Sequence, residues 1–462
     1  MASKSKIIAE LFEADGDIVA SALDNVVVTP TAVSDQANTS TGGFTLPSGT
    51  TAQRPGSPDT GESRYNSTTG SLEFWDGSNW ISTNLIPNIT SIVGDIYNIV
   101  PSTLAFTVTN NTDNIDIIFS DGGSAFHTVS GQSVSSGTFS LAVPSQVRAK
   151  TASTALSIAI QNSDGTPSGN AISKTVAAAP TGGTITTSGT NRIHTFTSNG
   201  NFITGAALSV NSLVIAGGGG GGGGGGATYH GGGGAGAGGF RYTTGASISA
   251  ATYAVVVGAG GARGTEANTP ATNGANGANS SFNSIVSLGG GYGSGAHTGQ
   301  GGGNGGSGGG GAAGTSSGAA GSGTSGQGNN GGAVGGFGGH GGDPYGAGGG
   351  GAGAVGTGNA FQARGTGGAG TANSITGSSV TYAGGGGGGD AENAGNYGSN
   401  GGGTGGAGGG GRGGSTGSGW SVAGLDGSAN TGGGGGGGQG GGTRGNGGAG
   451  GSGIVIISYS TA

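Results

Sequence analysis

The residues that could do chemistry are few and isolated along this chain. Of the five histidines, only one has a carboxylate three or four residues away: His340, with Asp343. Pro344 and Tyr345 follow this pair directly and indicate a loop. There is no cysteine. Because zinc sites take several nitrogen or sulfur ligands and calcium takes clustered carboxylates, the sequence predicts neither a metal site nor a cofactor.

Patterns typical of enzymes do occur, but without the elements around them that catalysis needs. Residues 305–309 and 314–318 both match G-x-S-x-G. In hydrolases that serine stands on a tight turn between a strand and a helix, and neither stretch follows a predicted strand or opens a helix. The acids are too scattered for the carboxylate pair of a glycosidase. The sequence therefore favours a protein that is not an enzyme.

The remaining candidates are bulky or polar residues that interrupt glycine tracts in the second half of the chain, at points where we expect the chain to reverse direction. Aromatic and arginine anchors on rigid supports lose little entropy on binding, and aromatic rings stack on sugars or on apolar surfaces. The alternative is that each of them only covers a flank or the base of the domain. The binding candidates are Tyr292, His297, His340, Asp343, Tyr345, Arg364, Tyr397 and Trp420.

The elements that must position these residues are glycine tracts, each of which directly follows a short apolar strand. Ten consecutive glycines, Gly217 to Gly226, directly follow the apolar run 213–216. The same order recurs after 253–257, 287–288 and 380–383. Such tracts form either flexible coils or polyglycine II helices, which have three residues per turn and no internal hydrogen bonds. The apolar anchors favour an ordered bundle, in which ten residues would span roughly 31 Å.

Composition separates a glycine-rich half from an ordinary one. Of the 125 glycines, 106 follow Gly200. Five arginines and five acids balance in that half, and the whole chain carries a formal charge of −7. Nucleic-acid binding needs clustered positive charge, which is missing. We also expect no secretory signal and no membrane insertion, because no apolar run approaches membrane-spanning length.

Alternating strands precede and bracket the glycine tracts. Residues 89–178 carry about seven period-two strands separated by turns, a pattern typical of an immunoglobulin-like sandwich, although the Cys…Trp…Cys hallmark is missing. The run 192–197 alternates in the same way, and the closing run 454–459, which is mostly apolar, is a comparable strand. We expect these two to pair, which would bring both ends of the glycine-rich domain to one base.

Residues 53–80 predict a small module of short strands and tight turns. Trp75 and Trp80 are interpreted as its core, with stacking on sugars as the alternative. The stretch resembles a module common in bacteriophage tail fibres, through Arg54-Pro55, Pro58, Gly61, Arg64-Tyr65-Asn66, Thr68-Thr69-Gly70, Leu72-Glu73 and Trp80. The resemblance implies a structural piece near the virion-attached end, with no chemistry of its own.

A second resemblance covers about Ile193 to Tyr459. It rests on 194–197, 213–216, 238–241, 253–261, 379–384 and 450–457. This segment is similar to the glycine-rich domain of phage tail-fibre and bacterial surface sequences, and it resembles the polyglycine II sandwich of phage receptor-binding adhesins. In those adhesins variable tip loops contact host receptors, which implies the same role for the candidates above.

The expected fold is all-β plus polyglycine II, in four parts. These are an N-terminal virion-attachment or oligomerisation segment (1–30), a connector with the small tail-fibre β module (31–86), an immunoglobulin-like β-sandwich spacer (87–180) and a glycine-rich domain of short strands and packed polyglycine II helices (190–462). The expected function is a phage fibre or adhesin, located in the virion. Its expected partners are a host polysaccharide or outer-membrane protein, other virion proteins through the N-terminus, and two further copies of itself in a homotrimer.

Two alternatives stay open. One is a virion decoration, neck, baseplate or filament protein whose glycine-rich domain packs without binding a receptor. The other is an ice-binding or surface-coating protein, because polyglycine II bundles can present flat faces; the module at 53–80 argues against it.

Overall fold

A computed structural model describes residues 46–461, apart from 69, 83–86, 99, 110–113, 135–136, 163–166, 227–229, 298–300, 313, 315–317, 336–344, 359–363, 392–400 and 416–421. The predicted N-terminal segment 1–30 therefore lies outside the described residues. The chain forms two compact units, Met1–Ile81 and Ser82–Ala462.

The first unit is a small four-stranded sheet. Its strands, in the order in which they pair, are β1 (Ser48–Gly49), β2 (Ser63–Asn66), β3 (Ser71–Trp75) and β4 (Trp80–Ser82), with a short 3₁₀ helix at Thr51–Gln53. The indole of Trp80 is buried and that of Trp75 is partly exposed, with ring centroids 5.9 Å apart. The two tryptophans thus pack on each other, but of the two only Trp80 is buried as a core residue would be.

The centre of this sheet also contains a buried ionic cluster. Glu73 is 1% exposed and accepts hydrogen bonds from Arg54 at 2.7 Å and from the Asn66 amide at 2.9 Å. Arg64 forms an ion pair with the same carboxylate at 3.3 Å and donates to the carbonyl oxygens of Gln53 and Thr50. Burial acts to raise the pKa of Glu73, but the bonds from Arg54 and Asn66 and the charges of Arg54 and Arg64 outweigh it and lower that pKa.

The second unit begins with a β-sandwich. Its strands are β5 (Asn88–Val93), β6 (Ile96–Tyr97), β7 (Thr103–Thr109), β8 (Ile115–Asp121), β9 (Ser124–Gln132), β10 (Thr138–Ala142), β11 (Ala155–Asn162) and β12 (Pro167–Ala177), with one helical turn α1 (Ser145–Arg148). One sheet has the order β10-β7-β5 and the other β6-β12-β11-β8-β9.

The two sheets of the sandwich enclose one apolar core. Along β8 and β11, buried and less buried side chains alternate, as expected for strands with one face inward. Phe106, Phe119 and Ile158 are at most 1% exposed in that core. The predicted immunoglobulin-like β architecture is confirmed.

The described parts of the glycine-rich half contribute eleven more strands. They are β13 (Thr184–Ser188), β14 (Asn191–Phe196), β15 (Gly200–Thr204), β16 (Leu208–Ile215), β17 (Phe240–Ile248), β18 (Ala251–Val256), β19 (Ser280–Phe282), β20 (Ile285–Ser287), β21 (Thr371–Asn373), β22 (Val380–Tyr382) and β23 (Ile454–Ser460). They form a five-stranded sheet β13-β14-β23-β16-β17, a four-stranded sheet β15-β18-β19-β20 and a hairpin β21-β22.

We call these two sheets and the hairpin the strand base. The closing strand β23 lies at the centre of its five-stranded sheet. It pairs antiparallel with β14, with Thr195 opposite Ile456, and on its other edge with β16. The predicted pairing of the opening and closing strands is therefore confirmed. Its two faces serve two cores, because Val455 and Ile457 pack in a cluster with Phe202 and Phe282, whereas Ile454 and Ile456 pack in one with Tyr382. Burial on both faces explains the unbroken apolar run of this strand.

The central glycine segment, residues 217–225, is hydrogen-bonded to six neighbours. Its N–H groups donate to three antiparallel segments in turn, each reached at every third residue. The acceptors of 217, 220 and 223 are Ala278, Ala275 and Thr272; those of 218, 221 and 224 are Gly451, Gly448 and Gly445; those of 219, 222 and 225 are Gly236, Gly233 and His230.

The carbonyl groups of the same segment follow the same rule. They accept from three parallel segments, through the N–H groups of 261, 264 and 267, of 290, 293 and 296, and of 435, 438 and 441. A Cβ on any of Gly217–Gly224 would lie under 3.0 Å from a neighbouring carbonyl oxygen. Only glycine therefore permits this contact between backbones.

No helix in the described parts of the chain is long and apolar enough to cross a membrane.

Candidate binding site at the distal end of the glycine segments

The strands fix where each glycine segment ends. Segments 217–225, 289–297 and 384–390 leave β16, β20 and β22, so their last residues lie far from the sheets. Segment 345–352 runs antiparallel to 384–390, since Gly346 donates to Gly389 and Ala352 to Ala383. We call the ends opposite the strands the distal end, defined by His230, His297, Tyr345, Arg364, Asp390 and Ser415.

Asp390 ties together four segments at the distal end. Its side chain is buried, and its Oδ2 accepts from the Ser415 hydroxyl at 2.8 Å. Its Oδ1 accepts from the Ala391 N–H at 2.9 Å and from Arg364 Nε at 3.4 Å. The Arg364 guanidinium also lies over the ring of Tyr345, 5.3 Å from its centroid. The carboxylate thus contacts Arg364, Ala391 and Ser415, and Arg364 in turn contacts Tyr345. In sequence these four residues adjoin the segments 336–344, 359–363, 392–400 and 416–421, which lie outside the described residues.

A pair of histidines joins two further segments. His230 Nδ1 and His297 Nε2 are 2.7 Å apart, and one of these nitrogens must carry the hydrogen that the other accepts. His297 has a backbone φ of 59°, a left-handed conformation that is uncommon outside glycine. This conformation turns the chain at the end of segment 289–297.

Both imidazoles of this pair are hard to protonate. Burial, together with the charge of His297, lowers the pKa of His230 to about 4. Burial alone lowers the pKa of His297. Both lowered pKa values favour the neutral imidazoles at neutral pH, and the short nitrogen–nitrogen contact excludes a hydrogen on both facing nitrogens at once.

An ion pair lies near the same end. Arg444 pairs with Glu266 through Nε and donates to Asn268 Oδ1 at 2.7 Å. Both side chains of the ion pair are about one third exposed, at 31% and 38%. The distal end thus combines imidazole, guanidinium, carboxylate and aromatic groups.

The structure places four of the eight binding candidates. His297, Tyr345 and Arg364 lie at the distal end, whereas Tyr292 lies within the segment 289–297 rather than at a reversal. The Tyr292 N–H donates to Asn276 Oδ1 and its carbonyl accepts from Gly303. The ring of Tyr345 is 5% exposed and lies under Arg364. His340, Asp343, Tyr397 and Trp420 lie outside the described residues.

His230 and Asp390 interrupt the glycine tracts in the sequence but were not among the eight binding candidates. Each directly borders an uninterrupted glycine run, 231–234 and 384–389. A residue in that position ends a segment, so it must stand at an edge of the bundle where a side chain has room. The border with a glycine run is therefore the pattern that could have identified both.

Among the described residues, no group of three or more His, Cys, Asp or Glu side chains could hold a metal ion. The histidine pair accordingly has no third ligand of these types in this part of the structure.

Residues 197–460 match the family model described as "Glycine-rich domain". The chain belongs to the glycine-rich domain family. The matched range begins after β14 and ends with β23, so the glycine-rich domain includes the strand base as well as the glycine segments. No curated protein matches the sequence.

Among solved structures, a match is the crystal structure of chicken CNTN1 FN1-FN3 domains. It is 10% identical over 40% of this chain and 67% of that chain, with a TM-score of 0.17. So low a TM-score carries no argument about this protein.

Proposed function

We propose that the protein is a bacteriophage tail fibre or adhesin that binds a host cell-surface receptor through the distal end of its glycine-rich domain. The observation that carries the proposal is the placement of polar and aromatic side chains from separate segments at one end of a bundle held by its backbones. A support of this kind keeps receptor-contacting groups in place before binding, which reduces the entropy lost on association.

We infer further that the glycine segments are polyglycine II helices. Each segment meets a given neighbour at every third residue, as expected for three residues per turn, and its donors and acceptors point sideways as in that helix. Amides of 217–225 should then exchange with deuterium orders of magnitude more slowly than those of a free peptide. Exchange at the free-peptide rate would contradict the inference.

The rest of the chain has supporting roles in this proposal. Residues 1–30 would attach the fibre to other virion proteins, 31–86 would be the tail-fibre module, and the sandwich at 87–180 would act as a spacer. The receptor would be a polysaccharide or an outer-membrane protein of the host. These assignments are supported by the sequence resemblances described above.

The decisive experiment exchanges residues 298–300, 340–344 and 391–397, which adjoin His297, Tyr345 and Asp390 in sequence, for those of a fibre with a different host. We expect adsorption to the original host to be lost while the protein stays folded by circular dichroism. A matched exchange at the exposed turn of Ser325 and Gly326, at the strand end of the bundle, should leave adsorption intact. Unchanged adsorption after the distal exchange would instead favour a structural virion protein, whose position immunogold labelling would then locate.

A further inference from the structure

A polar cavity lies in the strand base, away from the distal end. Its volume is about 510 Å³, within the range of small-molecule sites. It opens between the five-stranded sheet and the β21-β22 hairpin and is lined by Asn191, Asn211, Tyr242, Asn373, Ser374 and Ser379, among others. None of its lining residues is charged. The cavity therefore favours a neutral, polar ligand.

Two asparagines in the cavity are fixed in orientation. Asn211 Oδ1 accepts the Gly245 N–H at 2.9 Å, and Asn373 Oδ1 accepts the Ile375 N–H at 2.8 Å. Because a backbone N–H can only donate, the contacted atom must be the amide oxygen, which assigns both amides. Within the described residues neither Nδ2 group donates a hydrogen bond. Each of these lining residues thus has a fixed amide whose Nδ2 donor is not used by a described residue.

The cavity also offers hydroxyl groups and one aromatic face. Ser374 and Ser379 are exposed, and Tyr242 on β17 is 42% exposed. Ile375 also lines the cavity; it is 7% exposed and belongs to a core cluster. A flat aromatic wall beside several donors and acceptors suits a ring with one apolar face and a rim of hydroxyl groups.

We propose that this cavity binds a neutral sugar ring. The Nδ2 groups of Asn211 and Asn373 would donate to sugar oxygens, the serines would exchange hydrogen bonds with hydroxyl groups, and the ring of Tyr242 would pack against the C–H face. The absence of a cationic lining residue disfavours acidic sugars. The proposal does not depend on receptor binding at the distal end.

A second cavity of about 370 Å³ adjoins the first and shares Asn191 and Asn211 with it. Its wall includes Tyr97 and Ser102 of the sandwich. A saccharide chain bound in the first cavity could therefore continue between the sandwich and the glycine-rich half.

The test is saturation-transfer difference NMR and calorimetry on the full chain. The probes are the methyl glycosides of glucose, galactose, mannose and N-acetylglucosamine, their neutral oligosaccharides, and sialic acid. We expect at least one neutral glycoside to bind and sialic acid not to bind. Tighter binding of an oligosaccharide would identify a unit of a polysaccharide as the ligand, and equal binding would identify a single sugar.

Isosteric variants test the site itself. Asn373→Asp and Asn211→Asp each retain the oxygen that accepts the backbone N–H but lose the Nδ2 donor, so each should weaken binding about tenfold. Tyr242→Ala should abolish it, and Tyr242→Phe, which retains the ring, should not. Asn199→Asp is the matched control, since Asn199 Oδ1 accepts the Val257 N–H outside the cavity. Failure of every neutral probe to bind, or binding unchanged in Asn373→Asp and Tyr242→Ala, would overturn the proposal.

Discussion

At the scale of single residues, side chains have room to make contacts only outside the backbone lattice. We use this term for the glycine segments that are joined to one another by N–H···O=C bonds. Within the lattice, each N–H and C=O of residues 217–225 is committed to a neighbouring segment, and carbonyl oxygens fill the space a Cβ would take. Asp390 and the His230–His297 pair stand at segment ends instead, where they connect one segment to another.

Asp390→Ala should destabilise the glycine-rich domain. The change leaves the Ser415 hydroxyl, the Ala391 N–H and the Arg364 guanidinium without this carboxylate, and losing such a buried acceptor costs about 2 kcal/mol. Differential scanning calorimetry should show a lower melting temperature. Asp426→Ala is the control, because the exposed Asp426 carboxylate accepts from Ala449, and it should cost less than half as much. Equal losses in the two variants would show that the buried contacts of Asp390 stabilise the domain no more than the exposed contact of Asp426 does.

The histidine pair should make the domain less stable in mild acid. The folded pKa of His230 is lowered to about 4, from about 6.5 in an unfolded chain. Between these values the unfolded state binds more protons, so the free energy of unfolding falls as the pH falls through that window. With allowance for solvent screening, the loss from His230 is on the order of 1–2 kcal/mol.

Thermal unfolding followed from neutral pH down to pH 4.5 measures this loss. The double variant His230→Asn/His297→Asn should show a shallower pH dependence than the native chain. It should not be flat, because burial also lowers the pKa of His194, which faces Tyr459 in the strand base. An identical slope in the double variant would exclude the pair as the source.

At the scale of elements, the neighbouring backbones determine that these segments must consist of glycine, because they leave no space for a side chain. Gly221→Ala would drive a Cβ into the Gly436 carbonyl oxygen in the centre of the bundle. Because backbone on every side prevents relaxation, we expect loss of several kcal/mol or failure to fold. Soluble yield and melting temperature measure this. Gly335→Ala is the matched control, since a Cβ there meets none of the described residues within 4 Å, and it should behave as the native protein.

Strand positions were accessible from the sequence, whereas neighbours of the glycine segments were not. The runs 192–197 and 454–459 alternate or are continuously apolar, which identifies them as strands and led to their predicted pairing, now observed as β14 with β23. Gly217 and Gly221, however, have no side chain to indicate a partner. Because the glycines around Tyr292 likewise indicate no partner, the sequence could not show that this residue lies within a segment and not at a reversal.

At the scale of the whole molecule, the fibre resemblance predicts a homotrimer. Multi-angle light scattering of the purified full chain should give three times the 42.4 kDa of one chain. If the N-terminal segment assembles the trimer, a variant that lacks residues 1–45 should give the mass of a monomer. A monomeric mass for the full chain would reject the prediction.

The sequence by itself determined the division into a β-rich half and a glycine-rich half, the sandwich strands, and the strand–glycine boundaries. These follow from side-chain periodicity and from the steric freedom of glycine, both of which are local properties. Only the tertiary structure decided which segments are neighbours, that Asp390 and His230 lie at the distal end, and that a neutral polar cavity opens beside Tyr242. Those features depend on long-range backbone hydrogen bonds, and every glycine has the same donor and acceptor whichever partner it meets.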